Sequence, residues 1–397
     1  MILTSTMVMK DNKQETTGVR AQINRTQYRE HSVPMFLTSS FTFGSAEEMA
    51  GMFSGELEGD VYSRYANPNT EEFIQKMCLL EGAAAGFATA SGMAAVWSSM
   101  AGLLENGDHI IASRSLFGST HQILAQLLPR FGITYTYVDG QQPDTWPAAI
   151  EDRTKMMLLE TPSNPGLQII DLAKAVSFCK SHGLILNVDN CFSTPVIQNP
   201  LKLGADLVTH SATKYIDGQG RVLGGIVLGN QDLIDKVTFF CRHTGPAMSP
   251  FNAWLLSKSL ETLSLRMERH CSNAMELALR LKNNTKVEEV IYPHLSNHPQ
   301  YDLALKQMKM GGGIVSIKVK GGIKAGRDFL NNIKMSSLSA NLGDSRTIVT
   351  HPASTTHSKL TVGEREMVGI TDGMIRISVG LEHIDDISQD IFQALES

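Results

Sequence analysis

The sequence predicts an α/β fold: a mostly parallel sheet with helices on both faces, followed by a smaller α+β domain. Three observations predict it. First, short apolar runs recur from about residue 70, at His109–Ser113, Ile133–Val138, Met156–Glu160, Leu184–Val188, Asp206–Thr209 and Gly225–Leu228. Several are rich in Val and Ile and have the length of buried strands. Second, helix-like or turn segments lie between them. Phe117–Leu128 carries Phe117, Ile123, Leu124, Leu127 and Leu128, and Asp171–His182 opens on a carboxylate and repeats apolar residues at helical spacing. Strands alternating with helices build a mostly parallel sheet. Third, the texture changes after about residue 250. Ala253–Lys282 reads as one long helix, with Leu256, Leu260, Leu263, Met267, Leu277 and Leu281 on its apolar stripe. A strand at Gly311–Lys318, a helical stretch near Ala325–Ile333, a strand at Met374–Val379 and an acidic terminal helix complete the pattern.

The remaining elements follow from composition and order. The 397 residues amount to two or three domains at about 150 residues each. Residues 1–60 are irregular and read as an extended arm; 61–255 form the large domain and 256–397 the smaller one. Hydrophobic residues make up 42% and charged residues 19%, which excludes a disordered or collagen-like chain. The net charge is −5 with no basic stripe, so nucleic acid is not an expected partner. No apolar run reaches the 18 or so residues of a membrane span, and the start, Met1–Lys13, is charged too soon for a signal peptide. A soluble cytoplasmic protein is the expectation. Cys78, Cys179, Cys191, Cys241 and Cys271 include no CxxC pair, so neither a disulfide framework nor a metal site is expected.

In open parallel sheets the ligand sits at the carboxyl ends of the strands. Thr161-Pro162-Ser163-Asn164-Pro165 follows Met156–Glu160, Asp189-Asn190 follows Leu184–Val188, and His210-Ser211-Ala212-Thr213-Lys214 follows Asp206–Thr209. Earlier, Thr89-Ala90-Ser91-Gly92-Met93 opens the segment Met93–Leu104. A pyridoxal 5'-phosphate site needs a lysine for the aldehyde, a carboxylate for the pyridine nitrogen, a donor for the ring hydroxyl and a phosphate cradle at a helix start. Lys214, Asp189, Asn164, and Ser91-Gly92-Met93 with Ser211 and Thr213 supply these parts in order. Each part alone has a plainer explanation as a cap, a turn or a solvated side chain. Two competing motifs fail. Ser211-Ala212-Thr213-Lys214 spells SxxK, but no SDN or KTG follows, and Gly218, Gly220 and Gly224 do not form GxGxxG.

Asp189 and Ser211-Ala212-Thr213-Lys214-Tyr215 resemble the cofactor segments of the Cys/Met-metabolism pyridoxal-phosphate enzymes. The resemblance runs from about Gln22 to the end and includes Val61–Pro68, His351–His357 and Ile375–Glu382. Within the family, Tyr215–Gly225 and Ser249–Trp254 are most similar to the O-succinylhomoserine sulfhydrylases. The resemblance implies a fold-type I, aspartate-aminotransferase-like architecture with a seven-stranded sheet. It implies that Lys214 holds the cofactor and shuttles protons, that Asp189 pairs with the pyridinium, and that Asn164 sits near the ring hydroxyl. Gly92, Met93, Ser211 and Thr213 would bind phosphate. Tyr62 and Arg64 would reach the phosphate of a neighbouring subunit, which implies at least a homodimer and, from the family's habit, a homotetramer in which the arm joins the interface. Arg376 would clamp the substrate α-carboxylate. Taken alone, Arg64 and Arg376 would read as ion-pair residues.

The departures from the family pattern bear on the reaction. Phe117 stands where related lyases stack a tyrosine on the ring, so stacking survives and the phenol is lost. A thiolate leaving group gains far more from a nearby acid than a carboxylate does, because its pKa lies roughly four units higher. Phe117 therefore argues for succinate or acetate as the leaving group. Ser119 replaces the cysteine of methionine γ-lyases, and Asn341 stands where lyases place a serine near the lysine. Asn341 is expected to touch substrate, and Arg242 or Arg221 to meet a distal acyl carboxylate. The expected reaction is γ-replacement on O-succinylhomoserine or O-acetylhomoserine by sulfide or a small thiol, yielding homocysteine or methionine. The alternatives are a carbon–sulfur γ-lyase, a cystathionine γ-synthase and a non-catalytic homologue.

Overall fold

The computed structural model describes residues 12–355, 363, 365 and 369–397. Thr356 and His357 of the family block that starts at His351, and the first eleven residues of the arm, lie outside them. The described part of the arm is largely irregular but holds two short helices, α1 (Gln14–Arg20) and α2 (Ala46–Ser54).

The first sheet and its helices follow in chain order: α3 (Pro68–Glu81), β1 (Ala85–Thr89), α4 (Gly92–Ala101), β2 (His109–Ser113), α5 (Gly118–Gln122), β3 (Thr134–Val138) and β4 (Thr154–Glu160). Then come α6 (Leu172–His182), β5 (Ile185–Asp189), α7 (Thr194–Ile197), α8 (Pro200–Leu203), β6 (Leu207–Ser211), β7 (Gly225–Gly229) and α9 (Gln231–Thr244). The seven strands lie in the order β1-β7-β6-β5-β4-β2-β3. All point the same way except β7, which is antiparallel to β1 and β6. Period-two alternation separates the two faces. Ile110, Ala112, Met156 and Leu158 pack with Ala95 and Met100 of α4 on one side, while Ile111, Met157 and Leu159 pack with Leu172 and Ala175 of α6 on the other. β1 carries the sequence Ala-Gly-Phe-Ala-Thr, too poor in branched residues to signal a strand, and forms through its pairing with β7.

The predicted long helix is two helices, α10 (Pro250–Leu260) and α11 (Leu263–Leu281). At the junction the N–H groups of Glu261 and Thr262 turn back three residues, to Lys258 O and Ser259 O, and Thr262 leaves helical geometry. Arg266 Nη2 then donates to Ser259 O at 3.0 Å, and its Nη1 donates to Tyr215 O at 2.5 Å. The break thus faces the segment just after Lys214. The apolar stripe runs through it unbroken, so periodicity did not reveal it. α11 begins among Tyr215, Met248 and Leu256 of the first core and ends against the second sheet.

That sheet comprises β8 (Val287–Ile291), β9 (Ile314–Val319), β10 (Ser337–Leu338), β11 (Ile348–Thr350) and β12 (Met374–Ser378), with α12 (Tyr301–Gln307), α13 (Gly322–Asn332) and α14 (Ile384–Glu396) beside them. The order is β10-β11-β12-β9-β8, antiparallel except for β10 with β11. Val315, Ile317, Ile375 and Ile377 meet Leu277 and Leu281 of α11 and Ile387 and Ile391 of α14.

Candidate active site

The ends of three parallel strands build the floor. Glu160 closes β4, Asp189 closes β5 and Ser211 closes β6; Glu160 is in register with Asp189, and Asp189 with Thr209. The carboxylate expected after β5 is therefore its last residue. Above these ends lies a cavity of about 640 Å³. It gathers Ser91, Gly92, Met93, Phe117, Asn164, Asp189, Ser211, Thr213, Lys214 and Arg376, all of them singled out from the sequence.

α4 supplies an anion cradle. Ser91 caps it by accepting the Ala94 N–H at 3.2 Å, which leaves the N–H groups of Gly92 and Met93 facing the cavity end without helical partners. A Cβ on Gly92 would come within 2.5 Å of Ser211 Cβ, so only glycine lets the start of α4 touch the end of β6. Ser211 and the helix start therefore share one surface. Thr213 exchanges hydrogen bonds with Gly224, accepting its N–H at 3.1 Å and donating to its carbonyl at 3.3 Å.

Lys214 reaches the cavity with its Nζ donating to Asn341 Oδ1 at 2.7 Å. Burial lowers its pKa, and the Arg376 guanidinium pushes the same way. Both favour the neutral, nucleophilic amine. Arg376 is only 2% exposed. It donates to Asn164 Oδ1 (3.1 Å), Asn341 O (2.9 Å), Ala340 O (3.3 Å) and Thr350 Oγ1 (3.4 Å). Among the described residues it has no carboxylate partner, and its Nε has no partner at all. Burial lowers its pKa to about 10, which still leaves a cation at neutral pH. A buried cation with an unused donor is suited to an incoming anion. Asn164 spends its Oδ1 on Arg376, so its amide N–H remains to donate.

Asp189 accepts the Cys191 N–H at 3.0 Å. Burial raises its pKa, while that N–H and His210 oppose the rise. Burial also pushes the Cys191 thiol well above its ordinary value, which disfavours the reactive thiolate. His210 Nε2 lies 2.6 Å from Glu81 Oε1 in the interior, and the same oxygen accepts from Asn190 Nδ2 at 3.0 Å. His351 is likewise held inside, between Ser354 Oγ and Asp372 O at 2.7 Å each.

Sequence reasoning passed over Glu160. Its Oε2 accepts the Phe117 N–H at 2.6 Å, and the Asn164 N–H also reaches its carboxylate. Burial, and then Asp189, raise its pKa well above the carboxylate range. The available signal was a lone acid closing the apolar strand Thr-Lys-Met-Met-Leu-Leu-Glu.

Four expected residues, Tyr62, Arg64, Arg221 and Arg242, lie outside this cavity in their own chain. Arg64 and Arg242 line a second cleft of about 620 Å³ between α3, β1 and α9. Arg64 donates to Arg242 O, and its guanidinium stacks 5.3 Å and 4.8 Å from the rings of Tyr62 and Tyr65. Arg242 sits in the last turn of α9, with its guanidinium 5.6 Å from the Tyr65 ring. Arg221 is engaged elsewhere, against buried Asp217 at 2.9 Å and Ser259 Oγ at 2.5 Å. That pairing occupies its guanidinium away from the Lys214 cavity.

The donor set fits pyridoxal phosphate: a neutral-leaning lysine, a buried carboxylate across the floor, an amide donor, and a cradle that a Cβ would fill. Known proteins agree. Residues 15–396 match the family model of the Cys/Met metabolism PLP-dependent enzymes. The chain is 45% identical to an O-succinylhomoserine sulfhydrylase of Pseudomonas aeruginosa over 381 residues, covering 96% of this chain and 94% of that protein. It is 42% identical to an L-methionine gamma-lyase of Fusobacterium nucleatum over 393 residues, 98% and 100% of the two chains. A solved Campylobacter jejuni protein, with a proposed O-acetylhomoserine (thiol)-lyase activity, superposes with a TM-score of 0.94 at 32% identity over 97% of this chain and 100% of that one. It carries N'-pyridoxyl-lysine-5'-monophosphate. The chain belongs to the Cys/Met-metabolism family of pyridoxal-phosphate-dependent enzymes.

Proposed function

We propose that this enzyme catalyses γ-replacement on an activated homoserine ester. O-succinylhomoserine is the preferred substrate, with O-acetylhomoserine as the alternative. Sulfide or a small thiol is the nucleophile, and the products are homocysteine or a thioether plus the free acid. The similarity to O-succinylhomoserine sulfhydrylases supports the substrate class. One observation carries the choice of replacement over cleavage of a C–S bond: Phe117 lines the Lys214 cavity and offers no proton to a departing thiolate.

Bound pyridoxal phosphate supplies an electron sink for carbanions at the α carbon. Lys214 Nζ would take the α proton, hand it on to the bound cofactor and, neutral again, take a β proton. Asn341 holds that amine in place at 2.7 Å. Arg376 binds the α-carboxylate through its free donors, and Asn164 fixes Arg376 from the other side. Asp189 keeps the ring nitrogen protonated. The γ C–O bond breaks and the acid leaves as its carboxylate, which needs no proton at neutral pH. Sulfide forms the new C–S bond at the γ carbon, and Lys214 returns the protons.

Tyr62 and Arg64 lie away from the Lys214 cavity of their own chain, which supports an assembly in which they complete a neighbouring site. Such a homodimer, or a tetramer of two dimers, would carry Arg242 beside Arg64 toward the neighbour's substrate, where it would meet a succinyl carboxylate. The arm would contribute to that interface.

The test is turnover of each ester with and without sulfide, following homocysteine and 2-oxobutyrate together. Sulfide-dependent homocysteine, faster from the succinyl ester, is the expected result. Equal 2-oxobutyrate release with or without sulfide, matched by release from methionine, would favour the lyase reading that the 42%-identical methionine gamma-lyase keeps open. Cystathionine formed from added cysteine would favour the synthase.

A further inference from the structure

We propose that Glu160 is a positioning residue that ties Phe117 and Asn164, the two groups placed beside the cofactor ring, to the end of β4. The proposal rests on the ring placement proposed above for those two residues.

The geometry is that of a clamp. Phe117 and Glu160 are 43 positions apart in the chain, yet the Phe117 N–H donates to Glu160 Oε2 at 2.6 Å. Phe117 is the residue just before α5, and its side chain is 37% exposed toward the cavity. Its carbonyl already serves the first turn of α5, accepting from Thr120 N at 2.9 Å and His121 N at 3.1 Å. The bond to Glu160 therefore joins the start of α5 to the sheet. The Asn164 N–H reaches the same carboxylate from the loop after β4. One carboxyl in the cavity wall thus holds the backbone of a ring wall and the backbone of a ring donor.

Charge decides the form in which it works. Glu160 is 6% exposed and has no ion-pair partner among the described residues. Its neighbour across the register is Asp189, a second buried carboxyl. The other groups facing this pair are His210 from β6, Cys191 after β5, and Lys214 beyond Cys191. Two adjacent buried carboxylates cannot both ionise without a cation between them. Both carboxyls accept backbone N–H bonds, but only Asp189 has His210 beside it, so the proton settles on Glu160. A neutral acid still accepts the Phe117 N–H through Oε2, and a glutamine can do so through its single amide oxygen.

The test uses the full-length enzyme with its cofactor removed and restored, in wild type, E160Q, E160A and F117A. The readouts are the dissociation constant for pyridoxal phosphate and the visible circular dichroism of the bound cofactor, which reports a fixed ring. E160Q should bind within about threefold of wild type and keep its dichroism, because the amide reproduces a neutral acceptor. E160A should weaken binding about tenfold and lose most of the dichroism because buried donors lose their acceptor, and F117A should do the same by removing the ring wall itself. E160Q as impaired as E160A would overturn the neutral clamp. E160A with wild-type dichroism and affinity, while F117A loses both, would overturn the positioning role alone. F117A with wild-type dichroism would overturn the ring placement and this proposal together. Should E160A fail to fold, E160D, one methylene too short to reach Phe117, takes its place; equal performance of E160D and E160Q would overturn the proposal.

Discussion

Lys214 Nζ donates to Asn341 Oδ1 at 2.7 Å, across 127 positions of chain, and Asn341 O accepts from Arg376 Nη2 at 2.9 Å. One residue between β10 and β11 therefore touches both Lys214, the proposed base, and Arg376, the proposed carboxylate clamp. Its two roles use different atoms. Asn341→Ala removes the side-chain contact and keeps the backbone one. kcat should fall about tenfold, the scale of one lost hydrogen bond, with KM nearly unchanged. Steady-state kinetics on the cofactor-loaded variant check this; a rise in KM with kcat intact would place Asn341 at the substrate instead.

Gly92→Ala tests the cradle. The added Cβ would meet Ser211 Cβ at 2.5 Å and Oγ at 2.7 Å. The start of α4 and the end of β6 must then separate, at an overpacking cost of about 1–3 kcal/mol. Cofactor affinity should drop tenfold or more, by roughly that same energy, because both segments would face the phosphate. Fluorescence titration of the apoprotein with pyridoxal phosphate measures the drop, and circular dichroism in the far ultraviolet should stay unchanged.

Arg376→Lys keeps a positive charge and loses the planar fork. A lysine ammonium cannot serve Asn164 Oδ1, Thr350 Oγ1 and the carbonyls of Ala340 and Asn341 while still meeting a carboxylate. kcat/KM for the ester should fall about a hundredfold, mostly through KM, as expected for a weakened charge-assisted pair. Initial rates over a range of ester concentrations check the split.

Acid–base linkage yields a fourth expectation. Burial raises the pKa values of Asp189 and Glu160 in the apoprotein. For a raised acid, the favourable contribution is complete below its unfolded pKa, near 4 for a carboxyl, and is lost as pH rises through the folded value. The apoprotein should therefore lose stability from Asp189 as pH climbs from about 4 through about 6, and Glu160 extends the loss further upward. Bound cofactor gives Asp189 a cationic partner and removes most of that loss. The gap in Tm between loaded and empty protein should widen over that range, measured by differential scanning fluorimetry. A gap independent of pH would show that Asp189 meets no cation.

Local chemistry was legible in the chain because strand ends are local. The runs ending at Glu160, Val188 and Thr209 marked where polar groups had to lie, and Ser91-Gly92-Met93 marked a helix start. Asn164, Asp189, Ser211, Thr213 and Lys214 meet in one cavity because neighbouring parallel strands end at one level. β1 was missed because its small residues form a strand only against β7, and the break between α10 and α11 was hidden by an unbroken apolar stripe.

By itself, then, the sequence determined the alternating α/β pattern and the inventory of a cofactor site, since both depend on periodicity and on residue type at short range. Only the tertiary structure decided which acid stands beside Asp189, which residue holds Lys214, and that Arg64 and Arg242 lie away from the cavity of their own chain. Those relationships join segments as far as 178 positions apart. No spacing in the chain encodes them, because they arise when sheet register and helix packing bring distant side chains within hydrogen-bond reach.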